Sequence, residues 1–241
     1  MCGRFFRHTP REELSVAFQA DVGFGDAPLG YNVSPTQSVL AVRFDPKHET
    51  RTLDELHWGL IPFFAKERKI AWRTINARAE TVDTTPSYRN AFAKRRCLVA
   101  ADGFFEWRTV AKRKMPYAIA LKSRRAFGIA GLWENWQDPE TGEWIRSCAI
   151  ITTTPNSLVA NIHDRMPVIL EPDQYARWLG QTAASPEELK AMLQPYAAEA
   201  MEMWPVSPRL NKPGVGEQDA SLLEPIQEPQ PSLPASNGRT R

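Results

Sequence analysis

Short segments of β-branched and aromatic residues, each closed off by turn residues, recur along most of this chain. Runs of this kind, alternating or unbroken in apolar character, predict strands. They fall at Gly3–Arg7, Val39–Phe44, Thr52–Trp58, Arg96–Ala101, Phe104–Arg108, Tyr117–Leu121, Phe127–Leu132, Trp144–Thr153 and Pro167–Leu170. Helix signals are fewer. Thr9-Pro10-Arg11-Glu12 reads as a capping box with proline at the first helical position, leading into a helix over Glu13–Ala20. Ser185-Pro186-Glu187-Glu188 repeats the device before Leu189–Leu193, Pro172–Leu179 reads as a short helix stopped by Gly180, and Thr154-Pro155 opens another ending near Asn161. Strand follows strand without the regular βαβ alternation of a doubly wound sheet. The pattern predicts a single-domain α+β fold, mostly antiparallel, with a barrel-like β core and peripheral helices.

The last stretch of the chain breaks this pattern. From Glu217 to Arg241 there are four prolines, no aromatic residue and a high share of Glu, Gln and Ser. Such a composition buries too little apolar surface to offset its ordering entropy. The expected division is an ordered domain over residues 2–213 and a disordered tail over 214–241.

Hydrophobic residues make up 42% of the chain and charged residues 24%, enough for a core, which excludes wholesale disorder. The longest apolar runs, such as Cys97–Ala101, fall far short of the ~18 residues of a membrane span. No basic-then-apolar leader opens the sequence, so an unexported, cytoplasmic protein is expected, with no membrane partner. Three cysteines without a CxxC pair argue against a disulfide framework, and four scattered histidines against a metal site, so neither metal nor cofactor is implied. Charge adds one feature. Between Lys66 and Lys114 stand thirteen Lys and Arg against five Asp and Glu, a local excess of eight on a chain of net +2. A basic middle of this kind is either a solvated surface or a polyanion-binding face.

Cys2 follows the initiator methionine directly. Removal of Met1 would leave an α-amine (pKa ~7.7–8.0) and a thiol (~8.5) on adjacent carbons, both nucleophilic near neutral pH. An aldehyde condenses with that amine to a Schiff base, and the thiol then closes a five-membered thiazolidine, a reaction closed to an internal cysteine. Taken alone, a cysteine at the second position is equally compatible with no role at all. Glu106, between Phe105 and Trp107 in an apolar strand, is either an outward-facing position or a desolvated carboxylate suited to general acid catalysis. Asn76 is a turn amide or a hydrogen-bonding anchor, and His163 is a structural histidine or a proton carrier.

The segments Met1-Cys2-Gly3-Arg4-Phe5, Trp58-Gly59-Leu60-Ile61-Pro62, Ile75-Asn76-Ala77-Arg78-Ala79-Glu80-Thr81, Arg96–Trp107 and Ile162-His163-Asp164-Arg165-Met166-Pro167-Val168-Ile169-Leu170 occur in this order. Together they resemble the SOS-response-associated peptidase family, the abasic-site processing proteins, over roughly Cys2 to Leu170 and more weakly to Pro213. The resemblance implies a monomer that binds single-stranded DNA containing abasic sites and crosslinks to it through a Cys2 thiazolidine, near the nucleoid if the cell is bacterial. It implies catalytic roles for Cys2, Asn76, Glu106 and His163. It also implies a DNA groove with Arg4, Arg78 and Arg165 on phosphates, Trp58, Phe63 and Phe64 on bases, and Thr152 lining the pocket; by residue type alone the arginines are equally surface ion pairs, Trp58 a core residue and Thr152 a plain strand threonine. The chain departs from the family in two places: family members often carry tryptophan after the Gly-x-x-Pro motif where this chain has Phe63-Phe64, and its segment from Ala65 to Trp72, with Lys66, Arg68 and Lys69, is longer. Two other functions are open to the same residues: an N-terminal cysteine peptidase, and a noncatalytic reader of single-stranded or modified DNA. Cys97 and Cys148, in apolar runs, are expected in the core.

Overall fold

The computed structural model describes residues 2–110, 112–212 and 214–228. Among them lie fourteen strands. The first seven are β1 (Phe5–Arg7), β2 (Asp21–Val22), β3 (Gly30–Val33), β4 (Ser38–Asp45), β5 (Thr50–Trp58), β6 (Asn76–Arg78) and β7 (Arg96–Ala101). The second seven are β8 (Gly103–Val110), β9 (Arg113–Leu121), β10 (Phe127–Gln137), β11 (Trp144–Thr153), β12 (Met166–Pro167), β13 (Ile169–Leu170) and β14 (Met201–Pro205). Four short helices accompany them: α1 (Arg11–Phe18), α2 (Arg89–Lys94), α3 (Tyr175–Leu179) and α4 (Pro186–Ala191). This is the α+β, antiparallel-dominated, single-domain architecture that the pattern predicts.

Five strands close into a barrel. β5, β4, β7, β10 and β11 pair antiparallel in that order. The ring is sealed by a parallel contact of β11 with β5, where Ser147 faces His57 and Cys148 faces Trp58. Against it lies a five-stranded antiparallel sheet in the order β14-β9-β8-β1-β3.

Both faces of the barrel strands are covered, and this explains their unbroken apolar runs. Along β7, Leu98 and Ala100 join the cluster that packs Trp178 and the other helix residues, whereas Cys97, Val99 and Ala101 join the cluster shared with Phe5 and Phe104 of the second sheet. Cys97 and Cys148 are fully buried thiols, as expected.

Two sequence signals resolve differently. Ser185 and Glu188 form the expected reciprocal cap of α4, but the Thr9 box does not form. The Thr9 hydroxyl bonds instead to the buried Asp102 carboxylate, which also accepts from the His8 and Thr9 backbone N–H groups at 2.6 and 2.8 Å. A desolvated carboxylate needs these donors, and in binding it the Thr9 side chain is not used as an acceptor for the helix N–H groups. The helix expected after Thr154-Pro155 is only a 3₁₀ turn over Val159–Asn161.

Residues 214–228 are ordered, contrary to the tail expected from 214. They lie along the second sheet. Leu222 is fully buried beside Phe6 and Phe105, the Tyr31 N–H donates to the Glu217 carbonyl at 2.7 Å, and Asn32 Nδ2 donates to the Val215 carbonyl at 2.8 Å. A few well-placed apolar residues (Leu222, Leu223) suffice once β3 and β14 present a prepared surface. Composition averaged over a window does not register them. Residues 229–241, the rest of the expected tail, lie outside the described residues.

Candidate active site

Cys2 reaches the site because β1 is an inner strand of the second sheet. Phe5 pairs with Phe104 on β8, and the Phe105 N–H donates to the Arg4 carbonyl at 3.0 Å, so residues 2–4 run beside Glu106. Cys2 is fully buried. Its carbonyl accepts from Asn76 Nδ2 at 2.8 Å.

Asn76 is itself held rigidly. β6 lies parallel to β11 with Asn76 opposite Ile150, and the Tyr88 hydroxyl donates to the Asn76 carbonyl at 2.9 Å. Asn76 Oδ1 is buried and accepts no hydrogen bond from the described residues. The amide thus holds the cysteine backbone with one end and aims an acceptor into the site with the other.

Glu106 sits on β8 at 2% exposure, opposite Tyr117 of β9. Burial pushes its carboxyl up to about 7. Its Oε2 stands 3.6 Å from His163 Nε2. His163 Nδ1 lies 3.0 Å from the Arg165 backbone nitrogen and 3.2 Å from both the Arg165 carbonyl and Asp164 Oδ1, contacts that accommodate either tautomer of a neutral ring, and Nε2 faces Glu106. Burial lowers the pKa of His163 and so favours that neutral ring. The Cys2 thiol is pushed well up, by burial first and then by the charge of Glu106. Near neutral pH the site therefore holds a protonated thiol, a neutral imidazole and a carboxyl poised between its two states.

The remaining predicted residues divide by burial. Thr152 is fully buried on β11, its hydroxyl 3.4 Å from the Ala77 carbonyl, and it lines the base of the β6–β11 pair. Arg78 is exposed at the end of β6. Arg4 and Arg165, expected on phosphates, are each only 9% exposed and already bonded within the protein. Arg4 Nη1 donates to Asn32 Oδ1 at 2.6 Å and to the Leu210 carbonyl at 3.1 Å, while Arg165 grips Glu80. A buried guanidinium needs such partners, and these two function as struts in this structure.

Trp58, expected on a base, is a core residue. It is fully buried, donates from Nε1 to the Ile75 carbonyl at 3.0 Å and packs on Phe5 at 5.2 Å. Phe63 and Phe64 are exposed at 56% and 50%, their rings perpendicular and 5.4 Å apart. They stand on a loop that leaves β5 and returns into Asn76, closed at its neck by the Thr74 hydroxyl on the Leu60 carbonyl at 2.5 Å. The same loop exposes Trp72 at 65% with Lys66, Arg68, Lys69 and Arg73 around it. Trp72 is absent from the sequence-based candidates, although an isolated tryptophan among basic residues is a signal for it. Tyr88 and Glu80, which brace Asn76 and Arg165, are also new.

Fold and site together define an α+β protein in which a buried Cys2 is held by the Asn76 amide, with the Glu106–His163 pair close by. Residues 1–213 match the family described as SOS response associated peptidase (SRAP), and the chain belongs to that family. It is 42% identical over 216 residues to abasic site processing protein YoqW of Bacillus subtilis (strain 168), covering 88% of this chain and 95% of that one. It is 28% identical over 232 residues to abasic site processing protein YedK of Escherichia coli (strain K12), covering 94% of this chain and all of that one. A crystal structure of a protein from Bacteroides thetaiotaomicron shares the fold at a TM-score of 0.83 and 27% identity, covering 94% of this chain and all of that one.

Proposed function

We propose that this protein processes abasic sites in single-stranded DNA by forming a thiazolidine crosslink through Cys2 once Met1 is removed. The observation that supports it best is the Asn76 bridge to Cys2 near a Glu106 carboxyl of raised pKa and the His163 imidazole, where removal of Met1 would turn Cys2 into an aminothiol. The names carried by the relatives point to the same substrate.

The order of steps follows from the protonation states. The abasic sugar opens to its aldehyde with a proton supplied by the Glu106 carboxyl. The Cys2 amine, oriented by the Asn76 amide, attacks C1′. The carbinolamine hydroxyl leaves as water, with Glu106 and His163 passing the proton, and a protonated imine remains. The thiol returns a proton to the Glu106 carboxylate and sulfur adds to the imine carbon, closing the ring. The balance is protein plus DNA minus one water. A thiol kept protonated by burial and by Glu106 favours the amine as first nucleophile, and ring closure gives the adduct a persistence that an imine lacks. Arg78 and the Phe63–Trp72 loop are placed to receive backbone and bases of the flanking strand.

Intact mass spectrometry of the full chain with a single-stranded oligonucleotide carrying one abasic site tests this. The expected species is processed protein plus DNA less one water, absent in Cys2→Ala. Processed wild-type protein that forms no adduct refutes the reading. In Cys2→Ser the amine survives, and borohydride is expected to trap the imine. Failure to trap any would refute the amine-first order.

A further inference from the structure

The segment carrying His163 leaves the barrel after the 3₁₀ turn at Val159–Asn161 and rejoins it at β12. Arg165 fastens it in between. Its Nη1 and Nη2 form a fork on the two Glu80 carboxylate oxygens at 2.6 and 2.9 Å, and Nη2 also donates to the Thr152 carbonyl on β11 at 2.6 Å. The backbone of the same residue borders His163 Nδ1, its nitrogen at 3.0 Å and its carbonyl at 3.2 Å, with Asp164 Oδ1 also at 3.2 Å.

We propose that Glu80 is a positioning residue for His163, locking the Arg165 guanidinium against β11 so that the Arg165 backbone keeps the imidazole in one orientation and one tautomer, with Nε2 toward Glu106. This rests on the crosslinking reading above and adds a residue to it. Glu80 is well suited to the task. It lies four residues beyond Asn76, and Ala79 between them donates its N–H to the Thr152 carbonyl at 2.9 Å. Lys190 of α4 donates to the Glu80 carbonyl at 3.3 Å and to the Asp83 carboxylate oxygens at 3.0 and 2.9 Å, so the acid stands on a pinned backbone. One stretch, residues 76–80, thereby sets both halves of the site: Cys2 through Asn76, and His163 through Glu80 and Arg165. Without its counter-carboxylate, a guanidinium at 9% exposure must stay desolvated and underpaired or swing out, and the loop backbone moves with it.

The test uses the full chain with ¹⁵N-labelled histidine, in wild type, E80Q and E80A. Three quantities are read: the His163 ring nitrogen shifts, the crosslinking rate at saturating abasic DNA, and affinity for an intact single strand. Wild type is expected to show a single tautomer. E80A is expected to show a mixture of tautomers, a rate lower by roughly tenfold and unchanged affinity. E80Q, which still offers Arg165 one acceptor, is expected to lose about threefold in rate with a smaller shift change. An E80A protein with the wild-type tautomer overturns the proposal. So does a rate loss that disappears at saturating DNA, which would make Glu80 a binding residue, or tighter DNA binding at an unchanged rate, which would make it a phosphate surrogate on Arg165. If E80A does not fold, an E80Q protein indistinguishable from wild type in both shifts and rate overturns it equally. If wild type forms no crosslink, the functional reading fails on its own, and the tautomer comparison still decides the role of Glu80.

Discussion

A carboxylate at 2% exposure carries a cost that pH controls. Folding raises the Glu106 pKa to about 7, so the neutral acid is the form that the fold favours. The stability tied to it is fully present below the ordinary carboxylate value and is lost as pH rises through about 7. Glu106→Gln is therefore expected to raise the Tm at about pH 8 and to leave it nearly unchanged at about pH 4, which thermal melts at the two values check. The same variant is expected to slow crosslinking by about 10²-fold, because the amide cannot donate a proton in ring opening. A site residue that stabilises the protein when replaced is one held for chemistry. The two kinds of aromatic separate as clearly. Trp58→Ala is expected to cost about 3–5 kcal/mol in urea unfolding, since it empties a filled core position. Phe64→Ala is expected to stay within about 0.5 kcal/mol in stability. It is expected to weaken single-strand binding by about 1–3 kcal/mol, read by titration with an intact oligonucleotide.

At the scale of elements, the segment 214–228 acts as a strap. It covers β3 and β14, and its neighbour Leu210 supplies one of the carbonyls that hold Arg4, two residues from Cys2. Leu222→Ala is expected to lower stability by about 2 kcal/mol or more, measured by urea denaturation, because the cavity left beside Phe6 and Phe105 cannot collapse against a sheet. Strand positions were largely readable from the chain. Arg96–Ala101 and Trp144–Thr153 match the observed bounds, and most other strands extend the predicted ones by a few residues. What escaped reading were elements whose stability is borrowed. β6 is three residues long and exists because β11 offers it a parallel partner, and the Thr9 cap is lost to Asp102, a residue far along the chain. Pro167–Leu170 divides into two short strands because Met166–Pro167 pairs with β11 and Ile169–Leu170 with β10.

Over the whole molecule, barrel closure and the packing of the second sheet bring four distant segments to one point. The basic excess of the middle segment ends up in part as an exposed loop, Lys66 to Arg73 with Phe63, Phe64 and Trp72, whose exit runs into Asn76. Affinity for single-stranded DNA is therefore expected to fall with salt. Neutralising Arg68 and Lys69 together is expected to reduce the log–log slope by about 0.7 for each phosphate that no longer meets a cation, measured by titration across salt concentrations. By itself the sequence determined the strand-rich α+β class, the family resemblance, and the chemistry available at Cys2, Asn76, Glu106 and His163, because residue type and local pattern carry these. Only the tertiary structure decided which of those groups meet, and which arginines and aromatics face outward. Trp58, Arg4 and Arg165 are DNA-contacting residues only by what the resemblance implies. Their burial is set by Phe5, Asn32 and Glu80, partners supplied from elsewhere in the chain. Burial is a property of what packs on the other side of a residue, and the neighbours in sequence do not contain it.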